Sequence, residues 1–224
     1  MQENPDAVLF YCNSSVVDKE GKQVGHTDTY FHEVWRESRW DDDFTSIGVA
    51  ELAGYQCRGQ TVPNMSSALI STKAFRQAYN PILKRFKLTG DWIFIGQLMR
   101  HGQVVYCKRT LSNFRKHEET ARVRVKSARS QAEFMLTKYL LFRETGKPLR
   151  GLATTMASDV IRFLHEPAKW YDVVKIMFKI SPKASLRFGI IFLASLLMNG
   201  FLLKEFYQRY KRAKGNKNAG TNKT

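Results

Sequence analysis

The segment KLTGDWIFIGQLMRHGQ, from Lys87 to Gln103, contains one carboxylate, Asp91. Between Glu51 and Glu118 it is the only acidic residue, against eleven Lys and Arg. A carboxylate at the end of an element, in a basic field, can take a proton from a hydroxyl and so act as a general base. The structural alternative is an N-cap, because Asp is favoured there and suits the positive end of a helix dipole. DWIFIGQLMRHG reads as a helix with Asp91 at the N-cap, Trp92, Ile95 and Met99 along one face, and Gly102 as terminator.

Three further groups of residues could do chemistry. In NFRKHEET, Arg115 and His117 alternate, so in an extended segment they point to the same side. A forked guanidinium with an imidazole suits a phosphate, and the imidazole could also bind a metal; the alternative is a solvated basic loop. Asn64 and Ser66, in NMSS, could line a sugar pocket or only satisfy backbone groups at a strand entry. Asp41–Asp43 form an acidic run with no partner His nearby, which reads as a solvated face rather than a metal site. His26, His32, His101 and His165 show no ligand spacing, and there is no Walker A, GxGxxG or GxSxG pattern.

The elements that must position these residues can be outlined from the text. The apolar run Ala7–Cys12 suits a buried strand, and DKEGK supplies turn chemistry before a short polar return. The aromatic, acidic stretch TDTYFHEVWRESRWDDDFTS has no clean period and reads as loop with irregular helix. SIGVAELAG fits a short helix ending at Gly54. TVPNMSSALIST reads as a lead-in loop and a strand, with a helix from about Thr72 to Ala78. QVVYCK reads as a strand and RTLSNFRKHEET as a loop. From Thr120 the pattern is helical, broken at Gly146-Lys147-Pro148, Pro167 and Pro182. The organisation is mixed α/β followed by an all-helical part, and the final AKGNKNAGTNKT is polar and expected to be disordered.

At 43% hydrophobic and 12% aromatic, the 224 residues can bury a real core. Cys12, Cys57 and Cys107 are widely spaced and in no CxxC pattern, which reads as free thiols in a reducing compartment. MQENPDAV has neither a basic n-region nor an apolar h-region, so no secretory signal is expected. Residues 1–60 hold five basic and eleven acidic groups, whereas residues 61–224 hold 31 and nine, a balance of +22. Such a field attracts polyanions: nucleic acid, anionic lipid or a diphosphate-bearing small molecule.

Three segments in order, ENPDAVLFYCNSSVVDKEGK, NMSSALISTKAF and TGDWIFIGQLMRHGQVVYCKRTLSNFRKHEET, resemble the second half of a glycosyltransferase family 2 catalytic domain, the GT-A fold. The resemblance covers about residues 3–120. It implies domains at 1–118 (the C-terminal half of a GT-A domain), 119–181 (helical extension), 182–212 (apolar and basic helix) and 213–224 (basic tail). It implies an inverting hexosyl transfer from a nucleotide-sugar donor to a glycan or lipid-linked acceptor, as in polysaccharide biosynthesis. Asp91, in GDW, takes the place of the catalytic base, and Trp92 would stack on a sugar face. Arg115 and His117 would face the diphosphate, with His117 also toward the Mg²⁺ or Mn²⁺, while Asn64 and Ser66 would wall the acceptor pocket. The family's donor-binding half with its D-x-D motif is not in the sequence, so the chain reads as a truncated or split form.

The run FGIIFLASLLMNGFLL, Phe188–Leu203, is sixteen residues without a charge and is flanked by Lys and Arg on both sides. It is short for a bilayer span, which usually takes about 20 apolar residues, and is expected to lie on an anionic membrane surface at the cytoplasmic face. The alternative to an enzyme is a non-catalytic basic module that binds membrane or nucleic acid. No recognition-helix, RNA-recognition or zinc-finger pattern supports the nucleic acid.

Overall fold

A computed structural model describes residues 4–116, 127–148, 151–152, 155–156 and 170–198. The chain divides into two compact units, Met1–Val125 and Lys126–Thr224. The first is mixed α/β. Its sheet runs β2 (Gln23–His26), β1 (Ala7–Val17), β5 (Gln103–Arg115), β3 (Phe44–Ile47), with β4 (Ala68–Ile70) on the same edge of β1 as β2. β1 and β5 are parallel, and every other pairing is antiparallel.

β1 is central because its sequence has no polar face to expose. Ala7, Val8, Leu9, Tyr11, Cys12, Asn13 and Ser14 are all buried, on alternating sides of the strand. The hairpin to β2 is set by Asp18, whose carboxylate accepts from Lys22 N at 2.8 Å, and by Gly21 at φ +88°. β5 continues well past the expected strand QVVYCK: it stays paired with β1 as far as Val17↔Arg115. Residues 108–115 are polar or exposed on most positions, so the loop expected there lacked the apolar signal of a strand; backbone pairing with β1 supplies what the side chains do not.

The aromatic, acidic stretch also turns out to be ordered. It forms α1 (Asp28–Val34), a 3₁₀ turn (Ser38–Asp41) and β3. Its large side chains build a cluster on the sheet: Phe31 stacks on Trp40 with centroids 4.6 Å apart, and Tyr11 meets Tyr106 at 4.9 Å. Trp40 Nε1 donates to the Tyr11 hydroxyl at 3.0 Å. The Arg39 guanidinium lies 4.0 Å from the Phe44 ring centroid and 4.2 Å from that of Tyr55, and forms a 2.9 Å ion pair with the buried Glu51. Glu51 closes α2 (Gly48–Glu51), which continues through Gly54 as a π-turn, Leu52–Gln56, instead of ending there.

α3 (Thr72–Ala78) has Ser71 as its N-cap, and α4 (Gly90–Leu98) packs on it through Phe75 and Phe94, 5.2 Å apart. The N-cap of α4 is Thr89, so Asp91 lies inside the first turn and not at the cap. α4 is buried nearly all round, at Trp92, Ile93, Phe94, Ile95, Gly96 and Leu98, rather than along one face. Its exit requires glycine. A Cβ on Gly102 would collide with the Asp6 carbonyl, and one on Gly48 with the carbonyls of Met99 and Gly102. Gly48 N donates to Gly102 O at 3.0 Å and Gln103 N to Asp6 O at 2.8 Å, so three segments meet there backbone to backbone.

The second unit contains α5 (Ser127–Arg143), α6 (Trp170–Ile180) and α7 (Pro182–Met198). α5 ends before Gly146, which has φ +67°. Ser181 is the single residue between α6 and α7; its hydroxyl accepts from Ala184 N, and Pro182 opens α7, where its missing N–H costs nothing. Tyr139 and Phe188 meet edge to face at 5.5 Å, so the helix expected as a separate segment from residue 182 is part of this unit. Among the described residues no helix is long and apolar enough to cross a membrane. The expected membrane helix beyond residue 198, the tail 213–224, and the break at Pro167 lie outside the described residues. Cys12, Cys57 and Cys107 are free, and burial raises the Cys12 thiol above its ordinary value.

Two stability outcomes follow from these contacts. Gly102→Ala should lower stability by at least about 2 kcal/mol, read as the shift of the urea midpoint, because rigid backbone leaves the methyl no space. Burial also raises Glu51 above the usual carboxylate range, with Arg39 opposing but not cancelling it. The folded state therefore keeps the proton over a window in which the unfolded chain, with a carboxylate near pKa ~4.3, has lost it. This contribution is complete below about pH 4 and declines as pH rises through the folded value. Melting curves from pH 4 to 7 should show the wild type losing stability relative to Glu51→Gln.

Candidate functional site

Asp91 is half-buried in the first turn of α4. One of its oxygens accepts from the Trp92 backbone N–H at 2.7 Å and the other from Gln60 Nε2 at 3.1 Å. Gln60 can reach it because its loop is fastened to the same helix turn. Gln56, fully buried, donates Nε2 to the Trp92 carbonyl at 3.0 Å, and Trp92 Nε1 donates back to the Gln56 carbonyl at 2.6 Å. The Gln56 amide oxygen accepts from both the backbone and the hydroxyl of Thr61, at 2.9 and 2.7 Å. Four hydrogen bonds thus satisfy the buried polar groups of Gln56, Thr61 and Trp92 among themselves, and the 56–61 loop is held as a brace across the helix N-terminus. Tyr30 adds a hydrogen bond from its hydroxyl to the Gln60 carbonyl at 2.9 Å.

This arrangement removes Trp92 from the role of sugar platform. Its ring is 2% exposed and its N–H is committed to Gln56, so it has no open face to stack on a ligand. It serves instead as the buried half of the brace that presents Asp91.

Asn64 is also committed to the fold. It is buried and caps the 3₁₀ turn Met65–Ser67, its Oδ1 accepting from Ser66 N at 3.0 Å. Its Nδ2 reaches the hydroxyls of Ser14 on β1 and Ser112 on β5, at 3.2 and 3.3 Å, and those two hydroxyls are 2.9 Å apart. Ser66 itself is exposed. Asn64 and Ser66 therefore stand together, but as a cap and its neighbour. The contacts of Asn64 share no residue with those of Asp91.

Arg115 is exposed at the end of β5, beside the Lys116 N–H that donates to the Val17 carbonyl at 2.8 Å. His117 lies outside the described residues. The acidic run already has partners within the fold: Asp42 accepts from Lys108 Nζ at 2.8 Å, Asp43 from the Lys108 backbone N–H at 2.7 Å, and Asp41 lies 3.5 Å from His32. Among the described residues no group of three His, Cys, Asp or Glu side chains is placed to hold a metal ion. A cavity of about 710 Å³ opens at the other end of the sheet, where Asp6, Lys73, Arg100 and His101 line it near the starts of β1 and β5. None of the site residues expected from the sequence borders it.

The structure adds residues that the sequence reading passed over. Asn13 Oδ1 accepts from Thr27 Oγ1, from Asp28 N at 3.1 Å and from Ser14 N at 2.9 Å, and its Nδ2 donates to Asp28 at 3.3 Å. Asn13 with Thr27 and Asp28 on one face of β1, and Ser14, Ser112 and Asn64 on the other, are thus two separate polar groups in the second half of the parallel strands, toward their carboxyl ends. The signal was present: the apolar run from Ala7 turns polar abruptly at CNSS. Gln60 carried no signal, because an amide at loop spacing is not distinctive.

Family models, curated proteins and solved structures were all compared with this chain, and none matches it.

Removing the Asn64 amide leaves the Ser66 backbone N–H and the hydroxyls of Ser14 and Ser112 each short of a partner, which costs about 1–3 kcal/mol. Asn64→Ala should lose that much in urea unfolding, and Ser66→Ala, on the exposed side of the turn, should lose less than about 0.5 kcal/mol.

Proposed function

We propose that the first unit belongs to a sugar-transfer enzyme of the GT-A type, similar to glycosyltransferase family 2, and that Asp91 is its general base. The observation that carries this reading is the brace. A carboxylate alone in a basic stretch of sequence, half-exposed, stands at the start of a nine-residue helix with one oxygen held by Gln60 of the loop and the other by the N–H of Trp92, the residue that follows it. Fixed orientation of that kind is what proton abstraction from a bound hydroxyl needs.

In this reading an acceptor hydroxyl, on a glycan or a lipid-linked sugar, gives its proton to Asp91. Its oxygen forms a bond to the anomeric carbon of a nucleotide-diphospho-sugar as the bond from that carbon to the diphosphate breaks, and configuration inverts. The nucleoside diphosphate leaves toward Arg115 and His117, where the guanidinium charge of Arg115 and the hydrogen-bonding capacity of the His117 imidazole suit it. A Mg²⁺ or Mn²⁺ ion on the diphosphate is part of the same proposal. The described residues offer no ligand set that fits it, so each step here is carried by the chain's own side chains. Trp92 has no direct role. A cytoplasmic position at the membrane surface, close to lipid-linked acceptors, completes the reading.

A second reading, a basic module that binds without catalysis, is favoured by the burial of Trp92 and by the commitment of the Asn64 amide to the fold. Assay of a panel of nucleotide sugars separates the two. Asp91→Asn keeps the size of the side chain and should lower transfer by about 10²–10⁴ while the far-UV dichroism stays that of the wild type and stability falls by only about 1 kcal/mol, for the one acceptor and the helix-end charge lost. Titration calorimetry with a nucleoside diphosphate and Mn²⁺ should show weaker binding by Arg115→Ala. Full transfer by Asp91→Asn removes it as the base. Binding of RNA or DNA that weakens with salt, with no affinity for nucleoside diphosphates, favours the second reading.

A further inference from the structure

The second unit presents an apolar face that nothing among its described residues covers. α6 buries Val173, Met177 and Ile180, and α7 buries Ala184 and Phe188, so both helices already have a core side. Yet both are apolar on a second side as well. Val174 and Phe178, four residues apart on α6, are 42% and 43% exposed; Leu186, Ile190 and Leu193, at i, i+4 and i+7 on α7, are 58%, 62% and 59% exposed. These five line one groove of about 370 Å³ between the two helices, whose lining is almost wholly apolar and includes Trp170. The exposed residues thus form one continuous surface and not scattered leucines.

The charges beside that surface have one sign. Lys175 and Lys179 follow Val174 and Phe178 by one position, and Lys183 and Arg187 hold the corresponding flank of α7. All four are exposed. Asp172 is the only acidic residue of the two helices, and from Val173 to Thr224 there are eleven Lys and Arg against the single Glu205. Trp170 and Tyr171 stand at the start of α6, with Tyr171 73% exposed.

We propose that α6 and α7 together form a docking face for an anionic lipid surface, lying in the plane of the headgroups with Val174, Phe178, Leu186, Ile190 and Leu193 turned into the acyl boundary. The physical requirements agree. Over the described residues neither helix is long enough to span, since α7 has seventeen residues and a length of about 26 Å against a hydrocarbon core of about 30 Å. An interfacial helix needs an apolar side that enters about 5–10 Å and a Lys/Arg-rich rim, with Trp or Tyr at the interface, and this surface has each. Lys and Arg stems can lie along the apolar surface while their charges reach the phosphates. A second copy of the chain fits less well. A two-fold contact through this face would bring the rim of Lys175, Lys179, Lys183 and Arg187 of one copy onto the same basic rim of the other, like charge near like charge. The proposal widens the surface from the apolar run at Phe188–Leu203 to a two-helix face that includes α6, and it stands whether or not Asp91 is a base.

The test is flotation of the intact chain with vesicles of phosphatidylcholine alone and of phosphatidylcholine containing phosphatidylserine. Binding should require the anionic lipid and weaken as salt rises. One basic group near such a surface changes partitioning about fivefold, or about 1 kcal/mol. Replacing all four of Lys175, Lys179, Lys183 and Arg187 with Ala should therefore lower binding at least about 50-fold. Leu186→Ser with Ile190→Ser should lower it too, while far-UV dichroism stays that of the wild type, because both side chains are exposed. If that pair disturbs folding, Phe178→Ser on α6 is the independent variant and should also weaken binding. Unchanged flotation in the basic and apolar variants overturns the proposal. So does a chain that ignores vesicles but sediments as a dimer that Leu186→Ser dissociates, which would assign the face to a second copy.

Discussion

Everything in the first unit depends on the parallel pairing of β1 with β5. Parallel neighbours cannot be joined by a tight turn, so the chain between them must travel away and return. Here that excursion, from Asp18 to Gly102, contains β2, β3, β4 and the four helices that cover and edge the sheet. The register of the pair then decides what meets. It puts Tyr11 against Tyr106, founding the aromatic cluster, and it brings the hydroxyls of Ser14 and Ser112 within 2.9 Å although they are 98 residues apart in sequence. A slip of one residue would reverse every side chain of β5 with respect to the core.

On that frame the polar groups divide into two kinds. Asn64, Ser14, Ser112, Gln56 and Thr61 satisfy one another and hold segments together. Among the described candidate-site residues, Asp91, Ser66 and Arg115 keep access to solvent, and Asp91 and Arg115 sit where an element begins or ends. The first kind is a condition for the second. A half-exposed carboxylate on a freely moving loop would hydrogen-bond to whatever came near, whereas one held by the Gln60 amide and the Trp92 N–H has one orientation.

The parts of this that were legible in the sequence are those set by local pattern. The buried run of β1, the turn at Asp18–Lys22, helix α3 and the break at Pro182 all follow from apolar periodicity, turn residues and caps acting over a few positions. Asp91 stood out by charge alone. What was not legible depends on distant partners. The polar half of β5 is a strand only because β1 lies beside it. The stretch Thr27–Ser46 looked irregular because its aromatics are spaced to fill a surface on the sheet and not to repeat along a helix. Trp92, next to a charged residue in the first turn, looked like an exposed platform; its burial follows from Gln56, 36 residues earlier, which no local pattern links to it.

The same parallel pair has a consequence for how the chain acquires its structure. β1 is made first and is apolar on both sides, but its principal partner is not complete until residue 115. At about 5–20 residues per second, roughly 5–20 s of synthesis separate the two strands. During that interval β1 can form the hairpin with β2, and later take β4, while its other edge is open and bordered by Leu9, Tyr11 and Cys12 with nothing to cover them. Loop closure over about a hundred residues places this pairing among the slow, non-local events of folding. In the nascent first unit the edge that stays open longest is therefore the one that β5 finally closes.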